Sequence, residues 1–92
     1  MNSFIGIGKI ADTSLNGRVL KFNLCVQQQK PCLVPCVLFD PTDEAKAFVD
    51  ELQTGQQVVW LRGRVASYEF EYQGRTIRKI QVVTYARSIK PI

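Results

Sequence analysis

The chain has 92 residues, 46% of them hydrophobic, which suffices for one small domain with a modest core. It carries a net charge of +4 and no histidine, so the common His-based catalytic arrangements are absent, and it lacks the ~18-residue apolar run that a membrane-spanning helix needs. The charge is segregated: Asp40, Asp43, Glu44, Asp50 and Glu51 against Lys46 leave the segment 40–53 at −4, and the remainder stands at +8. Such separation favours a polyanion on one side of the molecule.

In chain order, the opening MNSFIGIGKI shows no charged leader before a long apolar stretch, so no secretory signal is expected. Phe4 to Ile10 reads as a strand, with Gly6 and Gly8 marking a bend or a close backbone approach. Leu15-Asn16-Gly17-Arg18 carries an Asn-Gly hairpin signal. Val19 to Val26 alternates, with Leu20, Phe22, Leu24 and Val26 on one face and Lys21, Asn23 and Cys25 on the other. A polar loop, Gln27 to Pro31, leads to a third strand from Leu33 to Phe39, where Pro35 argues for an edge or a bulge. Asp40-Pro41-Thr42-Asp43 opens a helix capped by Thr42 or Asp43 and acidic in its first turn. Ala45, Phe48, Val49 and Leu52 give that helix its apolar face, and Gly55 ends it. Val58 to Tyr72 is a long strand, Gln73-Gly74 its turn, and Thr76 to Ile89 the partner.

This order predicts an all-β domain over residues 1–92. It fits an OB-fold: a five-stranded Greek-key barrel with one helix between the third and fourth strands and a long terminal hairpin. A small sandwich or split-β domain is the rival architecture. Cys25, Cys32 and Cys36 form an odd set that lacks the fourth ligand of a zinc site, and they read as reduced, buried thiols. No metal, cofactor or enzymatic activity is expected.

The functional reading rests on SYEFEYQGRTIRK. Along Val58 to Tyr72 the odd positions Val59, Leu61, Gly63 and Val65 suit a barrel interior. The even positions Trp60, Arg62, Arg64, Ala66, Tyr68, Phe70 and Tyr72 mix rings with guanidinium groups, which are rarely buried unpaired, so this face is expected to look outward. A bulge near Gly63 would reverse that parity. Rings interleaved with arginine suit single-stranded nucleic acid, whose bases stack on the rings while phosphates meet the cations. Arg75, Arg78 and Lys79 on the returning strand, with Lys21 and Lys30, extend the cationic surface. The competing structural roles are a subunit interface over Trp60 and cross-hairpin packing of Tyr68 and Phe70 on Ile77 or Ile80. The hairpin, at ~3.3 Å per residue, is longer than a small barrel requires and should project as an arm.

MNSFIGIGKI, VLKFNL, VLFD, EAKAFVDELQTGQQV and WLRGRVASYEFEYQG, in that order and spacing, resemble the bacterial single-stranded DNA-binding protein family over nearly the whole chain. The resemblance implies an OB-fold that self-associates as a dimer or tetramer and coats single-stranded DNA without much sequence preference in replication, repair and recombination, in the cytoplasm with the nucleoid and away from membranes. Phe39 matches a base-stacking aromatic of the family, and Phe70 falls where the family carries a stacking Trp. Two further stacking positions fall on Lys30 and Leu33, which are not aromatic, and the loop before Cys32 is short. The family's acidic tail, which recruits replication proteins, has no counterpart before the final SIKPI. The compact relatives of this type are small SSB-like proteins and the primosomal protein PriB. The alternatives are therefore a primosome-type adaptor that binds replication proteins, or a structural OB subunit without DNA binding.

Overall fold

The computed structural model describes residues 2–92. Five strands and one helix follow in the order β1 (Ser3–Asn16), β2 (Val19–Val26), β3 (Cys32–Phe39), α1 (Asp43–Thr54), β4 (Val58–Tyr72) and β5 (Arg75–Pro91). The strands close into a barrel in the order β1-β2-β3-β5-β4, with the helix between β3 and β4, as an OB-fold requires. The sandwich alternative is thereby set aside.

Alternation sets the interior. Leu20, Phe22 and Leu24 of β2 lie opposite Leu38, Cys36 and Val34 of β3, and with Ile10, Val59, Leu61, Val82 and Ile89 they form the core. Val49 and Leu52 of α1 complete it. Thr42 caps the helix by accepting a 3.0 Å hydrogen bond from the Ala45 amide, and Asp43 and Glu44 occupy its first turn, where the helix dipole stabilises acids. Gln53 Oε1 accepts from the Thr13 amide at 2.9 Å, tying the helix to β1.

The structure departs from the expected elements in three places. β1 runs on past Ile10 to Asn16: it leaves β4 at Lys9, pairs with β2 from there, and resumes that pairing at Ser14 after a bulge between Ala11 and Ser14. Asp12 takes a positive φ of 57° there, and its carboxylate accepts from Asn23 Nδ2 at 3.0 Å. The first hairpin pairs Asn16 with Val19, so its central residues are Gly17 and Arg18 rather than Asn16 and Gly17. Only Gly17 has positive φ, as a turn with glycine at its first central position requires. Of the cysteines, only Cys36 is buried; Cys25 is half-buried and Cys32 exposed.

Pro35 lies where β3 is a local edge, just before its contact with β5. β3 meets β5 in parallel only at Cys36–Val82 and Val37–Val83, so Pro35 needs no donor on that side.

β4 and β5 pair without interruption from Gly63–Thr84 to Tyr72–Arg75. Beyond Val65 and Val82, among the described residues, no other strand flanks this ribbon, and residues 67–76 are all exposed. It forms the projecting arm. Gln73 and Gly74 both have positive φ, 52° and 74°, the geometry of the tight turn that matches strand twist.

Candidate nucleic-acid interface

The parity of β4 is fixed by both neighbours. Its pairing with β1 is continuous from Val58–Lys9 to Arg64–Ser3, and its pairing with β5 is continuous along the arm. The irregularity near Gly63 lies on β5: between the pairs Leu61–Ile89 and Gly63–Thr84, residues 85–88 face the single residue Arg62. β4 therefore never changes phase. Val59 and Leu61 point into the core, and Trp60, Arg62, Arg64, Ala66, Tyr68, Phe70 and Tyr72 share the other face. Gly63 permits the close crossing here, since a Cβ at this position would lie 2.5 Å from the Val83 carbonyl oxygen.

The arm's rings are outside the barrel: Tyr68 and Phe70 are each 40% exposed and Tyr72 58%. Tyr68 and Phe70 stack on each other with centroids 6.1 Å apart and planes at 24°. Cross-strand partners on the same face are Lys79 for Tyr68, Ile77 for Phe70 and Arg75 for Tyr72. Ile77 thus does support Phe70, as the packing alternative held, but it supports a ring that remains open to solvent. Ile80 pairs with Ser67 on the reverse face.

Arg78 lies on the opposite face of the arm from Tyr68, Phe70 and Tyr72. It stands opposite Glu69 on the reverse face, and its Nε donates to Glu69 Oε1 at 3.0 Å. Glu71 shares that reverse face, opposite Thr76. The arm thus has a ring-and-cation side and a carboxylate-bearing side.

Lys21 points outward from β2 and, with Tyr68, lines a shallow concavity of about 150 Å³ that also includes Asp12, Asn23 and Gln81. Phe39 ends β3 on the outward side, 45% exposed, at the end of the strand that follows the β3–β5 contact. Lys30 is exposed in the loop before β3, at the end from which the arm departs, because β3 and β5 run parallel. Trp60 is half-buried on the outer face, opposite Ile7 of β1 and Lys90 of β5. It belongs to a different part of that face from the arm's rings.

Sequence reasoning missed Tyr85 and Arg87. Both project outward from the β5 irregularity, and the Arg87 guanidinium carbon lies 4.7 Å from the Tyr85 ring centroid. Their i, i+2 spacing was the available signal. Among the described residues no His/Cys/Asp/Glu group is arranged to hold a metal ion, and no helix is long and apolar enough to cross a membrane.

No family model and no curated protein matches this sequence. Solved structures do match its fold. The mitochondrial single-stranded DNA-binding protein Rim1 of S. cerevisiae superposes with a TM-score of 0.73 at 16% identity, over 99% of this chain and 94% of that one. A second structure of Rim1 gives 0.69 at 18% identity, over 98% and 93%. The Plasmodium falciparum SSB in complex with ssDNA gives 0.72 at 14% identity, over 100% and 95%. This chain is therefore similar, across its full length, to the OB-folds of single-stranded DNA-binding proteins.

Proposed function

We infer that this chain binds single-stranded DNA without marked sequence preference, through the outward face of the β4–β5 arm. The observation that carries the reading is the unbroken phase of β4, which puts Tyr68, Phe70 and Tyr72 on one exposed face with Arg62 and Arg64, and with Arg75 and Lys79 across the hairpin. Rings that lie open beside cations take bases from a strand whose bases are unpaired, and a duplex offers no such faces. The full-length likeness to single-stranded DNA-binding structures, one of them holding ssDNA, supports the same reading. We place the chain's work in replication, repair or recombination of nucleoid DNA, by binding rather than catalysis.

Self-association accompanies this function. Ser3 to Gly8 of β1 pairs with β4 on one side, and among the described residues no strand covers its other edge. Ile5 and Ile7 are exposed beside it. An open edge next to apolar side chains favours pairing with a second copy, as a dimer or as the unit of a tetramer.

The test is an anisotropy titration of labelled oligo(dT) and of a duplex of equal length at two salt concentrations. Binding that prefers the single strand and weakens steeply with salt, through counterion release, is the expected result. Equal affinity for the duplex would remove the stacking argument.

A further inference from the structure

We propose that Arg62, Arg64 and Arg87, gathered around Tyr85 where the arm joins the barrel, form a second phosphate-binding site that takes the backbone of the same single strand. This rests on the reading of the arm as a single-strand binder and extends the path beyond it.

The site is made by the β5 irregularity. Four residues of β5, 85–88, face Arg62 alone, so the strand must swell outward there and re-aim its side chains. The swelling is fixed in place. The Thr84 hydroxyl, completely buried, donates to the Arg62 carbonyl at 2.7 Å, supplying a partner where the ladder is interrupted. Tyr85 and Arg87 then project on the outer face, and the ring, 47% exposed, holds the guanidinium above it at 4.7 Å. Cation–π contact of this kind orients an arginine without neutralising it.

The result is a concavity of about 320 Å³ whose lining includes Ser3, Arg62, Arg64, Tyr85, Arg87 and Ser88. No carboxylate lines it, and both ion pairs among the described residues lie elsewhere, at Lys46–Asp50 and Arg78–Glu69. Three guanidinium groups around one hollow repel one another unless an anion joins them, and planar N–H forks match phosphate oxygens. Two serine hydroxyls add donors. A phosphodiester fits better than an isolated anion because Arg64 belongs to both sites. It lies in the β4 row that continues to Phe70, about 20 Å along the strand, and Phe39 and Tyr85 both stand two residues beyond the Val37–Val83 pair on the outer face.

The experiment compares the parent, Arg87→Gln, Arg87→Lys and Phe70→Ala by anisotropy with oligo(dT) long enough to span arm and pocket, over a salt series. Arg87→Gln should weaken binding about tenfold at low salt and reduce the magnitude of the log–log salt slope by about 0.7, one phosphate contact of a single strand. Arg87→Lys should keep the slope. Phe70→Ala should weaken binding with its slope intact. If Arg87→Gln matches the parent while Phe70→Ala is weakened, the pocket is overturned and the arm reading survives. If the parent does not bind, or Phe70→Ala binds like the parent, the arm reading fails and the pocket assignment falls with it. If free dTMP removes only the Arg87-dependent part of the binding, the pocket takes a terminal monophosphate and the strand assignment is overturned.

Discussion

Replacing Phe70 by alanine separates a stacking surface from a structural one. The ring is 40% exposed and lies 6.1 Å from Tyr68, nearly parallel to it. The ring is thus partly covered by Tyr68 and Ile77, and its exposed part is open to a base. Base–aromatic stacking contributes about 1–3 kcal/mol per base. With part of the ring open, a loss of about 2 kcal/mol is expected, roughly thirtyfold in Kd. Stability should change much less. Among the described residues the arm has no flanking strand, and the contacts removed are exposed ones: the stack on Tyr68 and the cross-strand pair with Ile77, the latter worth about 0.2–1 kcal/mol. The assay is a pair of measurements on the same sample: anisotropy with labelled oligo(dT) over a salt series, and a urea melt. The expected pattern is weakened binding, an unchanged salt slope and a near-parental midpoint. Parental affinity, or a midpoint collapse that tracks the affinity loss, would refute the reasoning by making Phe70 a packing residue.

The two faces of the arm give a second prediction. Arg64→Gln should lower the magnitude of the salt slope by about 0.7, whereas Arg78→Gln, on the Glu69 side, should leave it unchanged; equal effects would mean that the faces are not distinct. Gly63→Ala should destabilise the fold by about 1–3 kcal/mol in urea denaturation, because its Cβ would press on the Val83 carbonyl and on Val82 Cγ1 at 2.6 Å; a parental midpoint would show that β5 gives way there. Burial pushes the Cys36 thiol from its ordinary 9.0 up to about 12, against a smaller lowering by its hydrogen bond with the Leu24 backbone. The folded state therefore keeps the thiol neutral where the unfolded chain ionises it, and this contribution, present below pH 9, is lost as the pH rises towards 12. At pH 8, iodoacetamide should label exposed Cys32 readily and Cys36 only in denaturant, and rapid native labelling of Cys36 would contradict its place in the core.

β4 was readable from its residues because small or aliphatic side chains alternate with rings and cations over its whole length, and its bounds agree with the structure. The second half of β1 was not. Asp12-Thr13-Ser14 is polar and lacks alternation, and its strand character comes from pairing with β2 after the bulge, a tertiary effect. The side on which Arg78 lies was available in the sequence. A two-residue turn at Gln73-Gly74 fixes Tyr72 opposite Arg75 and hence Glu69 opposite Arg78, whereas pooling all basic residues of the returning strand ignores that alternation. The swelling at 85–88 was not available, since it emerges only when β5 must meet both the arm register and the Leu61–Ile89 register of the barrel. The i, i+2 spacing of Tyr85 and Arg87 was visible in the sequence, but the hollow that they line was not.

The most direct measurement is photo-crosslinking of 5-iodouracil-substituted single-stranded DNA to the protein, with the adducts mapped by mass spectrometry. The account predicts adducts on Tyr68, Phe70 and Tyr72, the rings that share the exposed face of the arm. Adducts confined to other surfaces, such as the acidic helix Asp43–Thr54, with the arm's rings unmodified, would contradict it.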